Sequence, residues 1–383
     1  SSLIAFHVGQ HLENYNFHIV ASHSDSPTFK LKENAEVEIK NHYVSLNTEG
    51  YGGMICASWL DRPLSIAGRV MVKDNNTYQT RLLCFDQDLV LIPNVAIHMN
   101  RSVNDGYAYN KQIDMLPLIG GQAYQSGDLK KMIAKELQVD VEDIYGSDLY
   151  LYNRMQPTIW GAHDEFISSP RLDDLQCAYT SLQGFLKGHH SQTIQVFACF
   201  DNEEVGSSTK QGAASTFLYD TLYRIHHHLF QDDEDFYRAV ASSFMLSGDN
   251  AHAVHPNHPE KTDQQNGVYM NQGIVVKSHA GQKYTSDALS IAVLKDLCEK
   301  AGVPLQFFAN RSDMLGGSTL GNIAMSQVSM NCVDIGLAQL AMHSSYETAG
   351  IKDSYDMIKV MEEFYNSHIQ VVKDGYVIVD KEG

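Results

Sequence analysis

None of the six cysteines (Cys56, Cys84, Cys177, Cys199, Cys298, Cys332) stands in a Cys-x-x-Cys pair. That excludes the commonest zinc clip and the dithiol redox motif. Scattered thiols of this kind are expected to be buried and free, as in the reducing cytoplasm. Long apolar runs are missing too: none approaches the roughly 18 residues of a membrane-spanning helix, and the first residues lack a charged, apolar, small-residue leader pattern. Positive charge is scarce, with 28 lysines and arginines against 46 acidic residues and a formal charge of -18. Neither a nucleic acid nor a membrane is therefore expected as a partner. There is no Gly-x-Ser-x-Gly elbow and no His-Glu-x-x-His helix, and Gly50-Tyr51-Gly52 lacks the third glycine of a dinucleotide loop. Fixed-period repeats and long linkers are absent as well. The chain opens Ser1-Ser2-Leu3 without a methionine, and a native stretch upstream is expected.

What is present is ample apolar material, 43% of 383 residues, enough for two or three domains at roughly 100–200 residues each. Residues 17–21 form a short apolar run that breaks into Ser22-His23-Ser24-Asp25-Ser26-Pro27, a pattern that predicts a buried strand delivering a polar loop. Residues 194–200 repeat the design, ending in Asp201-Asn202-Glu203-Glu204, with a helix expected after Gly206. Between them, residues 28–160 carry short runs such as 65–73, 81–85 and 89–92 divided by turn formers, which predicts a β-rich insertion. Beyond it, helical patterns at 173–187, 210–228, 287–301 and 353–368 alternate with short runs such as 329–335. Such alternation predicts an α/β layer structure.

Ligand sites in such sheets collect where strands end, and the polar clusters lie there. In His23-Ser24-Asp25 the imidazole could bind a metal while the carboxylate takes the other ring N–H, although a plain loop hydrogen bond gives the same pattern. Glu203-Glu204 places two carboxylates side by side, which repel unless a cation or proton is shared; a solvated acidic turn is the alternative. Asp173 and Asp174 follow Ser169-Pro170-Arg171-Leu172 at a helix start, where either could be an N-cap. Ser247-Gly248-Asp249, followed by His252 and His255, gathers a carboxylate and imidazoles in one loop, and His343 follows residues 339–342. Two histidines and three carboxylates suit two zinc-like ions sharing a bridging aspartate. His226-His227-His228 and the acidic residues 232–235 read as a solvated face.

In this order, His23-Ser24-Asp25-Ser26-Pro27, Arg171-Leu172-Asp173-Asp174, Asp201 to Ser207, Ser247 to Asn257 and Gln339 to Ser344 resemble the aspartyl aminopeptidase family over nearly the whole chain. The resemblance implies an α/β/α metallopeptidase domain over 1–27 and 161–383, with residues 28–160 as an inserted β-rich dimerisation domain. It implies that His23, Asp173 and Asp249 hold one Zn2+ and that Asp173, Glu204 and His343 hold a second, Mn2+ or Co2+ being alternative metals. Glu203 would be the general base, and Asp25 would orient His23. His252, Lys277 and Tyr284 fall where the family binds substrate, and His98, presented by a strand-like segment, is placed to reach a neighbouring subunit. The implied activity is removal of N-terminal residues, acidic ones among them, from short peptides by a large homo-oligomer built on dimers, a dodecamer being one such form. Gly248 stands where relatives commonly have alanine, and Asn250 where they have an apolar residue; neither change removes a ligand. An N-acyl amino-acid deacylase or a carboxypeptidase could use the same centre, and a non-catalytic assembly protein could keep the fold.

Overall fold

A computed structural model describes residues 2–230 and 232–380, which group into two compact units. The first holds the described chain through Ser26, Thr158–Met342 and the chain from Glu347 onward; the second holds Pro27–Pro157 with His343–Tyr346. The segment 343–346 thus groups differently from the division expected above. Its backbone explains why: the Ile55 N–H donates to the His343 carbonyl at 3.0 Å, the Ser345 N–H donates to Ser58 Oγ at 2.9 Å, and Asn153 Nδ2 donates to the Ser345 carbonyl at 2.9 Å.

The first unit is an α/β structure built on seven strands: β1 (Leu3–Val8), β2 (Asn16–His23), β3 (Thr193–Phe200), β4 (Phe244–Gly248), β5 (Ile274–Ser278), β6 (Leu305–Ala309) and β7 (Asn331–Gly336). Their order across the sheet is β1-β3-β2-β4-β7-β5-β6. Strands β3, β2, β4 and β7 run parallel, while β1 on β3 and β5 on β7 are antiparallel. Every residue of β2 is buried, as expected of a strand covered on both faces. Helices α1 (Leu172–Lys187), α2 (Phe217–Leu229), α3 (Asp233–Ser242), α4 (Ala288–Ala301), α5 (Leu320–Met325) and α6 (Ile351–Asn366) supply the covers. Phe17, Ile19 and Ala21 of β2 share one core with Leu218, Leu222 and Phe236, whereas Val20 shares the other with Leu294, Val333, Met357 and Phe364. The period-two alternation of β2 thus builds a core on each face of the sheet.

Two expectations need correction in this unit. The helical pattern over 210–228 begins only at Phe217, because the preceding residues form turns; a Cβ on Gly212 would lie 2.0 Å from the Ser207 carbonyl oxygen. His226 is not part of a solvated face. It is fully buried, with Nδ1 2.7 Å from the Tyr15 hydroxyl, because it falls four residues after Leu222 on the apolar stripe of α2.

The second unit is a six-stranded antiparallel sheet in the order Thr77–Cys84, Leu64–Asp74, Ile144–Asn153, Thr28–Ile39, Tyr43–Tyr51, Leu118–Gly120. One face packs Phe29, Leu46, Leu64, Ile66, Val70 and Leu149 with Ile133 of the helix Asp128–Leu137.

Candidate metal centre

Parallel pairing places the C-terminal ends of β2, β3 and β4 side by side, with His23 opposite Phe200 and Ala21 opposite Ser247. The residues that follow each strand therefore converge without any long-range search by the loops. His23 itself is the last residue of β2 and is 1% exposed. Its Nδ1 lies 3.0 Å from the Asp25 carbonyl oxygen and 3.4 Å from the Asp25 carboxylate. The sequence reading gave the carboxylate as the ring's acceptor; the closer acceptor is the Asp25 carbonyl. The carboxylate also accepts the backbone N–H groups of Glu203 and Glu204, each at 3.1 Å. Those N–H groups open the short helical turn Glu203–Val205, where donors have no partner within the turn. Asp25 thus links the ring of His23 to the backbone carrying both glutamates.

Asp173 and Asp174 begin α1, and the peptide between them is cis. The Asp173 N–H donates to Glu347 Oε2 at 2.9 Å, and the Ser26 hydroxyl donates to the Asp173 carbonyl at 2.8 Å. Asp174 Oδ2 accepts the backbone N–H of His23 at 3.1 Å. Asp249 follows β4, its N–H donating to the Ile335 carbonyl at 3.0 Å. His23, Asp173, Asp174 and Asp249, all buried, each bring one ligand atom within 4.8 Å of the others, and His23, Glu203 and Glu204 form a second such group. The pair spacing His23 Nε2 to Asp173 Oδ1 is 3.5 Å.

Electrostatics explains what this density of carboxylates requires. Burial, with Asp249 and Asp173 nearby, holds the Asp174 carboxyl well above the usual range even though His23 opposes the shift. Burial also raises Asp249 against the opposing effect of Lys277, with Asp173 adding to the rise. Glu203 is pushed up to about 7, first by burial and then by Asp249. Burial alone would lower His23; Asp174, Asp173 and Asp25 outweigh it and set its imidazole well above its ordinary value. Buried like charges at this spacing are unfavourable unless protons or a cation are shared among them. One imidazole and several carboxylate oxygens also form a donor set suited to zinc. The residues present fit such an ion.

Asp174 was weighed from sequence together with Asp173 at the helix start but given no role; Glu347, whose carboxylate accepts the Asp173 N–H, sits in a β-strand, Glu347–Gly350, with no local signal.

Of the residues expected to face substrate, His252 is exposed with its ring 6.1 Å from Phe308. Tyr284 is buried, and the Lys277 ammonium lies 5.3 Å from its ring centre. Lys277, which the resemblance places where the family binds substrate, is only 2% exposed. Its Nζ donates to the Asp249 and Asn250 carbonyls at 2.8 and 3.3 Å and stands 3.5 Å from the Asp249 carboxylate. The strand β5 buries the stem and brings the ammonium to Asp249. His343 and His98 belong to the second unit. His343 Nδ1 is 2.7 Å from the Gly53 carbonyl oxygen, so this nitrogen carries the proton in the neutral ring. His98 occupies an exposed turn in which Met99 N–H donates to the Ala96 carbonyl at 2.8 Å. The strand-like presentation expected for it is corrected, since Pro93 and this local turn leave no ladder partner.

The family model for aminopeptidase I zinc metalloproteases, M18, matches residues 1–365. Two clostridial proteins carrying the name "Probable M18 family aminopeptidase 2" are similar to the chain: that of Clostridium novyi is 47% identical, and that of Clostridium acetobutylicum 48%, each over 96% of this chain and 86% of the relative. Among solved structures, the Ape4 and Nbr1 complex contains a chain with a TM-score of 0.91 at 33% identity, covering 95% of this chain and 74% of that one. A structure described as the S. cerevesiae mApe1 dodecamer gives 0.80 at 26% identity, over 95% and 83%.

Proposed function

The chain belongs to the M18 family of zinc aminopeptidases, and from that premise we propose that it removes acidic N-terminal residues from short peptides at a two-zinc centre with Glu203 as general base. It is a metalloaminopeptidase. In the proposed centre His23, Asp173 and Asp249 hold one Zn2+, and Asp173, Glu204 and His343 hold the other. When bound, such a pair supplies Lewis acidity and lowers the pKa of water. The buried acidic cluster around His23, with Glu203 and Glu204 beside it, is the observation that carries this reading.

The chain's own residues do the rest. Glu203 accepts the proton of the attacking water at its carboxylate and returns it to the departing amine, acting first as base and then as acid. Asp25 keeps Glu203 in place through the backbone bonds at 3.1 Å. The Asp249 carbonyl and carboxylate hold the buried Lys277 ammonium at one position, with the Tyr284 ring 5.3 Å away; in this reading the acidic side chain of the first substrate residue enters to meet this ammonium, and His252 contacts the substrate as well. The charge supports the acidic preference.

The second unit, Pro27–Pro157, serves as the dimerisation domain in this reading, and His98 enters a partner's site. Val95, Ile97 and Met99 are 50%, 47% and 82% exposed around His98, an apolar surface suited to burial against another copy. A large homo-oligomer follows, as in the relative described as a dodecamer. Six free cysteines support a cytoplasmic location.

Blocking the substrate amine tests the activity against the deacylase reading of the same donor set. Aspartyl and glutamyl dipeptides should be cleaved with higher kcat/KM than leucyl ones, and N-acetylation should abolish cleavage of all of them. Faster cleavage of the acetylated peptides would overturn the proposal.

A further inference from the structure

Asp334 is fully buried in β7, and neither the metal centre nor the proton transfer uses it. Its Oδ2 accepts the Thr285 N–H at 2.5 Å and the Thr285 hydroxyl at 2.8 Å, and its Oδ1 accepts the Thr319 hydroxyl at 2.7 Å. The Asp334 N–H donates to Ser286 Oγ at 3.0 Å. Asp287, next in the chain, caps α4 in a reciprocal box with Ser290. Residues 285–287 are therefore pinned one after another, and the chain just before them carries Tyr284. Thr319 is the residue at which α5 begins. This start is packed tightly, since a Cβ on Gly321 would lie 2.7 Å from Asp334 Oδ1. The antiparallel register pairs Val275 with Gly336 and Val276 with Ile335. One step further along it sets Lys277 opposite Asp334, and opposite residues of such a pair share a face.

We propose that Asp334 is a positioning residue for substrate selection: by clamping Thr285 and Thr319 it fixes Tyr284 against the Lys277 ammonium, and so shapes the wall that reads the first side chain of the peptide. The inference rests on the proposed role of Lys277 and Tyr284. A carboxylate accepting three short bonds from two loops is a rigid anchor. An amide in its place offers one acceptor oxygen and turns two donors toward groups that themselves donate.

The test compares wild type, Asp334→Asn, Thr285→Ala and Lys277→Ala on aspartyl and leucyl dipeptides, with zinc content measured on each. Asp334→Asn should lower the ratio of aspartyl to leucyl kcat/KM by about tenfold, through a raised KM for the aspartyl peptide, with kcat and zinc content near wild type. Thr285→Ala removes one clamp bond, leaves the buried carboxylate in place and should shift the ratio the same way by about threefold, which decides the matter if Asp334→Asn does not fold. If Lys277→Ala lowers the ratio and the clamp variants do not, the inference is wrong while the role of Lys277 stands. Equal losses on both peptides, or lost zinc, would reduce Asp334 to a structural residue and overturn the inference. A ratio unmoved by Lys277→Ala would remove the reading of Lys277, and the inference with it.

Discussion

Glu203→Gln is expected to lower kcat by about 10³-fold while leaving zinc content close to wild type. Glu204→Gln should lose zinc as well as activity. The two side chains are chemically identical neighbours whose backbone N–H groups bond the same Asp25 carboxylate, so any difference between the variants comes from where each carboxylate points. Glutamine keeps the size of Glu203 and removes only its capacity to take a proton. Equal zinc loss in the two variants, or an active Glu203→Gln enzyme, would assign the roles wrongly.

The second large effect is a recovery. His98→Ala and Glu203→Gln should each be nearly inactive, the first by about 10²–10³-fold, since His98 is proposed to donate a hydrogen bond to the developing oxyanion in the partner's site. If His98 completes a partner's site, dissociating the two variants and letting them reassemble at random creates sites that pair an intact Glu203 with an intact His98. A two-fold interface makes the exchange reciprocal, so about a quarter of all sites should regain activity. The exposed turn that carries His98, with Met99 at 82% exposure beside it, is the surface on which this expectation rests. Mixed subunits that stay inactive, with mixing shown by mass spectrometry, would place His98 outside the catalytic site.

Which features were legible in the sequence follows from how locally they are encoded. The strands ending at His23 and Phe200 were readable because both are largely apolar runs, broken only by His18 and Gln195, that lead into polar loops, as strands buried on both faces tend to be. Helix α4 was readable for a similar reason, since its cap Asp287 and its last residue Ala301 bound a periodic stretch. Features that depend on what lies opposite in space were not. The hydrogen-bond partner of the buried His226 ring, Tyr15, is 211 positions away. Lys277 was placed near substrate by the family resemblance alone; its burial depends on β5 running beside β7, a pairing no local pattern announces. Asp25 was read from its spacing to His23, yet the direction of its carboxylate is set by backbone donors 178 and 179 residues further along. The start of α2 was misplaced because residues 210–216 carry helix-compatible spacing but end in turns that Gly212 tightens.

The central claim is that the buried acidic cluster around His23 is a two-zinc aminopeptidase centre, and a zinc titration of chelator-treated protein tests it most directly. Zinc bound per chain and cleavage of an aspartyl dipeptide are followed together, in wild type and in Asp173→Asn, whose carboxylate is proposed to serve both ions. The account predicts that wild type binds about two zinc ions per chain, that activity returns as they bind, and that Asp173→Asn loses both binding and activity. Saturation at a single ion, full activity without added metal, or normal zinc binding by Asp173→Asn would contradict it.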